Sequence, residues 1–491
     1  MGYGVAGLIS LTLYGRVTAM EEDNNFNDGF GHEDETDTDV TRFEEMIRNK
    51  DRYFFDVDTL IKILDFYVEK GQFTRATEVS TYASTLHPDS ANLLLKQAHL
   101  YALTGHDLKA LETLEKVERL NPFDPEMFMV RGNVFNSLGK YEEALDCFKN
   151  ALPLSEFSEE VFFSMAITYQ NMQNYNRAVT YFLKALDKNP NYEIAMEELT
   201  ACLALGGRLQ DGVDIFKGLI DKDPYSYAAW YNLGDVYCRL GSLEDALSAF
   251  DYCILIKDDF APAHLDKAHV LAMLGEYEEA INKYIQTFEY YNPDGITYFN
   301  IAECYEKLEK MDEARTYYKK SVKLLPEMAQ AWYGIALTLE YEERWYEAIH
   351  YVRKAIEKDH TNPEFWLLLA DCEFNLNNIT EAGDLYTRIV EEFPSHIDAW
   401  LSQSHFLTET GNPDDAVEST NRGLSMHPQC AELLYRQTVN LYAAGRIQEA
   451  YDFLAAALER DDRNYMMIFE LMPSLRNDRN IIRMIASKSD I

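Results

Sequence analysis

The sequence predicts an all-α fold, an α-solenoid in which about twelve pairs of helices follow one another in tandem. A small residue returns every 34 positions without insertion or deletion, and eleven of its twelve occurrences are alanine. Eight repeats have glycine five residues before it, and seven have proline twelve residues after it. A fixed period of this length is typical of repeat proteins, in which neighbouring repeats bury a shared core. The recurring residues are Ala76, Ala110, Ala144, Ala178, Gly212, Ala246, Ala280, Ala314, Ala348, Ala382, Ala416 and Ala450.

Each repeat is predicted to contain two helices. The first helix carries apolar residues three and four positions apart, as in Trp230, Leu233 and Tyr237, which places them on one helical face. The glycine ends this helix, because glycine adopts a left-handed backbone most easily. The proline ends the second helix, because it lacks an amide donor and clashes with the preceding turn.

This pattern resembles the tetratricopeptide repeat, in an array of the bacterial type that covers most of the chain. Trp230, Trp332, Trp366 and Trp400 match the family's aromatic residue near the start of the first helix. Further matches are the tyrosines one turn before the end of that helix, namely Tyr67, Tyr101, Tyr169, Tyr237 and Tyr305. The resemblance implies a right-handed superhelix whose concave groove, lined by the first helices, holds a peptide or protein ligand.

The repeats divide the chain into four predicted parts. Residues 1–39 contain an apolar stretch followed by an acidic segment, and residues 21–39 are expected to be disordered because they hold no Lys or Arg and bury little apolar surface. Residues 40–56 form a capping helix, residues 57–464 form the twelve repeats, and residues 465–491 form C-terminal capping helices. Residues 1–19 are interpreted as a misassigned translation start, with a signal peptide as the alternative.

One repeat departs from the pattern. Residues 193–226 have Thr200 and Leu203 in place of a small residue and a tyrosine, and the second helix contains Gly212 and Gly218. Because an interior glycine costs about 1 kcal/mol relative to alanine, this repeat is expected to be a soft joint near residues 206–218. The alternative is that Gly212 allows closer packing between helices.

The chain is strongly acidic, with a formal net charge of −38. Such a surface repels the phosphates of nucleic acids and anionic lipids, so we predict neither as a partner. Basic and apolar protein partners are favoured instead. The apolar run at residues 5–14 is too short to span a bilayer, so no membrane span is predicted.

The sequence contains no motif that indicates catalysis. Phosphate-binding glycine loops, the dinucleotide fingerprint, the H-E-x-x-H zinc motif and the nucleophile elbow are all missing. The seven cysteines are scattered, and Cys202, Cys304 and Cys372 share one position in their repeats, which indicates small buried residues. We therefore predict a protein that is not an enzyme, with no cofactor and no metal.

The predicted partner-binding residues lie on the groove-lining side of the first helices. An apolar row repeats every 34 residues, and polar residues four positions further on lie beside it. An apolar row with acidic neighbours suits a segment that carries apolar anchors together with Lys or Arg. The alternative is that much of the row is buried between repeats. The predicted residues are Phe163, Tyr231, Asp235, Leu265, His269, Phe299, Glu303, Tyr333, Leu367 and Asp371.

These features predict a non-catalytic, cytoplasmic interaction scaffold that binds a protein or peptide segment in its concave groove. Two alternatives remain open: a regulatory or substrate-recruiting subunit of an enzyme complex, and an envelope assembly factor. Glutamate at Phe299 and Tyr333 is expected to abolish partner capture while leaving folding nearly intact. The family's clamp for a C-terminal carboxylate is disfavoured, because Arg239 and Lys307 are nearly the only cations at lining positions.

Overall fold

The structure is a computed structural model that describes residues 33–49 and 51–488. These residues form 27 α-helices and two short 3-10 helices, and they contain no strand. The chain divides into two compact units, which we call the N-terminal unit, Met1–Met273, and the C-terminal unit, Leu274–Ile491. Within each unit, consecutive helices pack in pairs, so each unit is an α-solenoid. The predicted all-α fold is confirmed.

Helix α1, Glu33–Asn49, precedes the repeats. Within the repeats, every first helix has an even number and every second helix has an odd number. The first helices are Val57–Glu69 (α2), Ala91–Leu103 (α4), Pro125–Ser137 (α6), Ser158–Asn171 (α8), Glu193–Leu205 (α10), Tyr227–Leu240 (α12), Ala261–Met273 (α14), Gly295–Lys307 (α16), Ala329–Tyr341 (α18), Pro363–Asn375 (α20), Ile397–Glu409 (α22) and Ala431–Ala443 (α24). The second helices are Phe73–Leu86 (α3), Asp107–Leu120 (α5), Tyr141–Ala151 (α7), Tyr175–Lys188 (α9), Leu209–Lys222 (α11), Leu243–Ile256 (α13), Tyr277–Gln286 (α15), Met311–Leu324 (α17), Trp345–Lys358 (α19), Ile379–Glu392 (α21), Pro413–Met426 (α23) and Ile447–Arg460 (α25).

The turn inside each repeat has one backbone conformation. All eight predicted glycines have a left-handed backbone, with φ between 65° at Gly207 and 83° at Gly275. The four repeats without this glycine adopt the same conformation at the equivalent position, where Gln173, Glu309, Glu343 and Asn377 have φ between 57° and 62°. The packing of the two helices therefore imposes this turn even where the local residue disfavours it.

Glycine at one of these four positions is expected to stabilise the protein. The left-handed conformation costs a residue with a side chain about 1–2 kcal/mol, and glycine avoids this cost. Part of that benefit is lost because glycine has greater conformational freedom in the unfolded chain. Glu309→Gly should therefore raise the free energy of unfolding by about 0.5–1 kcal/mol, measured by urea denaturation. Glu313→Gly, in the adjoining helix α17, is the control and should lower it by about 1 kcal/mol. Destabilisation by both variants would contradict the prediction.

The tryptophans of the repeats close the loops that join one repeat to the next. The indole N–H of Trp332 donates to the carbonyl of Pro326 at 2.9 Å, and that of Trp366 donates to the carbonyl of His360 at 3.0 Å. A cation from the second helix covers each ring, with Lys354 4.6 Å and Arg388 4.2 Å from the ring centroids. Both contacts place these tryptophans in the packing of the repeats.

Helix α1 begins earlier than expected. The capping helix was predicted over residues 40–56, and residues 33–39 were included in the disordered segment, but the helix begins at Glu33 and ends at Asn49. Val40 is buried together with Phe43 and Met46, so the apolar stripe extends one turn further back than the prediction assumed. Residues 1–32, with the predicted apolar stretch and most of the acidic segment, lie outside the described residues.

The C-terminal end of the array is covered by two short helices, Met466–Leu471 (α26) and Arg479–Lys488 (α27). The 3-10 helix Pro473–Asn477 joins them. Ile468, Leu475 and Ile481 are fully buried against residues of α24 and α25. This element therefore covers apolar surface that the last repeat would otherwise expose.

The atypical repeat, residues 193–226, forms two complete helices. Thr200 is buried, and its hydroxyl donates to the side-chain oxygen of Asn232 in the next repeat at 2.9 Å. A β-carbon on Gly212 would lie 3.2 Å from Val236 and 3.3 Å from Leu203. Close helix packing therefore accounts for Gly212, and the soft joint near residues 206–218 stays a prediction.

Candidate functional site

The first helices bring the predicted side chains of the C-terminal unit to one face. Phe299 and Glu303 lie on α16, Tyr333 lies on α18, and Leu367 and Asp371 lie on α20. The 34-residue period gives Phe299, Tyr333 and Leu367 the same place in consecutive repeats. The spacing of four sets Glu303 and Asp371 one helical turn from the apolar row. We call these five residues and their helix surface the first-helix face of the C-terminal unit.

The apolar residues of this face differ in their exposure to solvent. Phe299 is 6% exposed, and its ring centroid lies 5.6 Å from that of Tyr318. Leu367 is 5% exposed. Tyr333 is half-buried, with its ring 4.8 Å from that of Phe365. A partner can therefore reach Tyr333, while Phe299 and Leu367 belong to the core. A glutamate at Phe299 would place a charge in the core. The prediction that folding tolerates a glutamate substitution therefore applies only to Tyr333.

The acidic residues of this face are poorly solvated. Burial raises the pKa of Glu303 to about 7, and the nearby Glu306 charge adds to the shift while Lys307 opposes it. Burial also raises the pKa of Asp371, although a hydrogen bond donated by the Tyr386 hydroxyl opposes this. Each carboxylate is held where its charged form is disfavoured.

Two further glutamates surround Tyr333 and were missed from the sequence. Glu306 accepts a hydrogen bond of 2.7 Å from the Tyr318 hydroxyl, and burial together with the charge of Asp371 raises the pKa of Glu340. The two glutamates are 34 residues apart, one turn beyond the predicted polar row. Their 34-residue spacing was the sequence signal that could have identified these two glutamates. Among the described residues, Glu303, Glu340 and Asp371 form no ion pair with Lys, Arg or His.

The first-helix residues of the N-terminal unit are more fully occupied by contacts within the chain. Phe163, on α8, packs against Phe182 and Tyr192 with ring centroids 5.8 and 5.3 Å away. Tyr231, on α12, is buried, and its hydroxyl donates to a carboxylate oxygen of Asp266 at 2.8 Å. Both aromatic side chains therefore serve the packing of this unit.

The predicted polar residues of the N-terminal unit are also engaged. Asp235 forms an ion pair of 3.1 Å with Arg239, one turn further along α12. Leu265 and His269, on α14, are half-buried. Because Arg239 already pairs with Asp235, this carboxylate has less to gain from a basic partner than an unpaired one has.

The described residues contain one group with metal-ligand chemistry. Glu364, His396 and Asp398 each present a ligand atom within 4.8 Å of the others, at the starts of α20 and α22. The imidazole Nε2 of His396 lies 2.8 Å from a carboxylate oxygen of Glu364. Both carboxylates are exposed, so an ordinary surface contact between an imidazole and a carboxylate explains the arrangement. The prediction of no metal stays a prediction.

The cysteines that share one repeat position are buried. Cys202, Cys304 and Cys372 are at most 3% exposed, and all three are free thiols. Burial raises the pKa of each thiol, to about 11 for Cys202 and about 12 for the other two. A thiol of this kind is a poor nucleophile at neutral pH, which agrees with the interpretation of these residues as small apolar side chains.

The stacked helix pairs and the first-helix face define a helical-repeat interaction scaffold. Family models described as tetratricopeptide repeat match most of the predicted array. One matches residues 95–159, 163–227, 216–262, 306–358, 333–397 and 407–465, and another matches residues 259–327. The chain belongs to the tetratricopeptide repeat family, so the resemblance seen in the sequence is confirmed. Members of this family bind proteins or peptides, and their repeats are typically non-catalytic.

Comparison with individual proteins adds little to this assignment. No curated protein matches the chain. Among solved structures, the chain is similar to the crystal structure of the APC/C hetero-tetramer Cut9-Hcn1, with 15% identity and a TM-score of 0.38. The match covers 85% of this chain and 93% of that chain. A similarity this low says nothing about the partners of this protein.

One property of the helices bears on membranes. Within residues 33–49 and 51–488, every helix is too short or too polar to cross a bilayer.

Proposed function

We propose that this protein is a non-catalytic, cytoplasmic scaffold that binds a protein segment on the first-helix face of its C-terminal unit. The observation that supports the proposal is the set of poorly solvated carboxylates beside Tyr333. Glu303, Glu340 and Asp371 have raised pKa values, and among the described residues none forms an ion pair with a cationic side chain. A lysine or arginine supplied by a partner would relieve this cost, because it stabilises the charged form of each carboxylate.

The exposed part of the first-helix face also indicates which residues lie next to the Lys or Arg of the bound segment. Tyr333 offers a half-buried aromatic ring between the carboxylates, and such a ring is a common anchor for an apolar side chain. The bound segment therefore carries Lys or Arg next to apolar residues. The formal charge of −38 favours such a segment and opposes nucleic acid.

Removal of the carboxylates tests this proposal. Peptide arrays that combine Lys or Arg with Leu or Phe, and matched arrays with Glu or Asp, are probed with the full-length protein. We expect the wild type to bind the basic apolar peptides, and Glu303→Gln with Asp371→Asn to weaken binding about tenfold or more, because a charge-assisted hydrogen bond is lost at each site.

The control removes two carboxylates from the second helix α21 of the same unit. Glu381 and Asp384 are exposed, so Glu381→Gln with Asp384→Asn changes the net charge equally without altering the first-helix face. Binding should be nearly unchanged in this control. An equal loss in both double variants would show that only the overall charge matters, and no loss in the first would reject the proposed site.

A further inference from the structure

Three lysines near the end of the second helix α17 form an exposed basic cluster in a strongly acidic chain. Lys319 and Lys320 precede Lys323 by four and three residues, so their side chains share one side of the helix. All three are exposed, and among the described residues none of them forms an ion pair or a side-chain hydrogen bond. Like charges at this spacing repel one another, so an acidic ligand would relieve a cost. We call these residues the lysine cluster of α17.

The next repeat shows which residue would pair with Lys319. Arg353, on α19, has the equivalent position, and it forms an ion pair of 3.1 Å with Glu373 on the first helix that follows, α20. One repeat earlier, the residue equivalent to Glu373 is Leu339, which is 1% exposed. The position that supplies a carboxylate to Arg353 therefore holds an apolar core residue in the repeat that follows Lys319.

The same difference leaves Lys320 without a carboxylate. Arg388, on α21, has the equivalent position, and it forms an ion pair of 2.7 Å with Glu392 one turn further on. The residue equivalent to Glu392 is Leu324, which is 51% exposed. Lys320 instead lies 4.2 Å from the ring centroid of Tyr317, a contact that leaves its positive charge in place. An exposed leucine thus lies beside the lysines where another repeat has an acidic residue.

The acidic residues nearest in sequence are engaged elsewhere. Asp312, in the first turn of α17, forms an ion pair of 3.1 Å with Arg315. Glu327, in the loop after α17, forms an ion pair of 2.7 Å with Lys358. The helix dipole favours a cation at Lys323, in the last turn, but this effect falls off within that turn and does not account for the other two lysines.

We propose that the lysine cluster of α17 is a second docking surface, which binds an acidic segment of a partner protein. Carboxylates complement the three ammonium groups, and the exposed Leu324 offers a contact for an apolar side chain next to them. The net charge of −38 permits this, because at physiological salt exposed charges more than about 8 Å apart are largely screened. A short acidic segment stays within the cluster, whereas a nucleic acid or an anionic membrane extends over the acidic surface around it.

This surface goes beyond the proposed function and does not depend on it. It lies on a second helix, and it involves neither Glu303 nor Asp371. Loss of binding at the first-helix face would leave it unaffected, so the two sites are tested separately.

Removal of two lysines tests the surface. The full-length protein is titrated into a labelled, end-blocked peptide that combines Glu with Leu, and binding is followed by fluorescence anisotropy. We expect Lys319→Gln with Lys323→Gln to weaken binding about three- to tenfold, because two exposed ion pairs are lost. Lys320 is kept, since its contact with Tyr317 belongs to the packing of the helix. The same peptide with Gln in place of Glu should not bind.

Two cations on α5 provide a matched control. Lys116 and Arg119 are exposed and have positions equivalent to two lysines of the cluster, but Glu115 stands where α17 has Lys319. Lys116→Gln with Arg119→Gln changes the net charge equally and should leave peptide binding nearly unchanged. An equal loss in both double variants would show that only the overall charge matters. Either that result or unchanged binding after removal of the two lysines would reject the site.

Substitutions at Leu324 test the surface from the opposite direction. Leu324→Glu supplies the carboxylate that Glu392 provides to Arg388, so it should weaken peptide binding more than Leu324→Gln does. Because Leu324 is exposed, both variants should keep a thermal midpoint close to that of the wild type. Equal effects of the two variants would show that the lysines do not bind the carboxylates of the peptide. A short single-stranded DNA that binds as tightly as the acidic peptide would overturn the assignment to a protein segment.

Discussion

Alanine at Gly234 is expected to destabilise the N-terminal unit by about 1–3 kcal/mol, the usual cost of forcing an extra carbon into a packed core. Gly234 lies in the middle of α12, where alanine would otherwise favour the helix by about 1 kcal/mol. The new β-carbon would lie 2.5 Å from a ring carbon of Phe250, which is fully buried on the paired helix α13. The two helices must move apart, or the ring must shift within the core.

Gly218 provides the control in the same unit. It lies inside α11, and a β-carbon there would meet nothing within 4 Å. Gly218→Ala should therefore stabilise the unit by about 0.5–1 kcal/mol through helix propensity alone. Hydrogen exchange followed by mass spectrometry on peptides from α11 to α13 measures both effects locally. If both variants shifted exchange in the same direction, close packing at Gly234 would not be the cause.

The stability of the C-terminal unit is expected to fall as the pH rises through 7, and Glu303 is expected to be a main cause. Its pKa is raised to about 7 in the folded protein, whereas an unfolded chain has a glutamate pKa near 4.3. Between these values the folded state holds more protons than the unfolded state, so raising the pH favours unfolding. The charged groups that act on Glu303 are Glu306 and Lys307 on its own helix.

Glu303→Gln isolates this contribution. The difference in unfolding free energy between wild type and variant should change by about 1–3 kcal/mol between pH 5.5 and pH 8, with the variant favoured at pH 8. Urea denaturation followed by tryptophan fluorescence is suitable, because four of the five tryptophans lie in the C-terminal unit. Glu381→Gln, on exposed surface, should show no such pH-dependent difference. A constant difference across this pH range for Glu303→Gln would contradict the raised pKa.

The sequence was least informative about the candidate site. It identified the helical face that carries Phe299, Tyr333 and Leu367, but it could not tell which of them reaches solvent. Helical periodicity gives the direction of an apolar stripe, whereas the width of the buried part depends on how closely the neighbouring helices approach. The same limit applies to Asp235, since whether a charge is paired depends on where nearby side chains come to rest.

The sequence alone determined the paired helices, the turns between them and the family, because those signals are local and are repeated twelve times in register. Glycine and proline mark the helix ends through their own backbone chemistry, whatever surrounds them. Only the tertiary structure decided that residues such as Glu309 adopt the left-handed turn without glycine, and that among the described residues Glu303, Glu340 and Asp371 form no ion pair with a cationic side chain. These features depend on contacts between residues in different helices, and packing between helices can override the preference of a single residue.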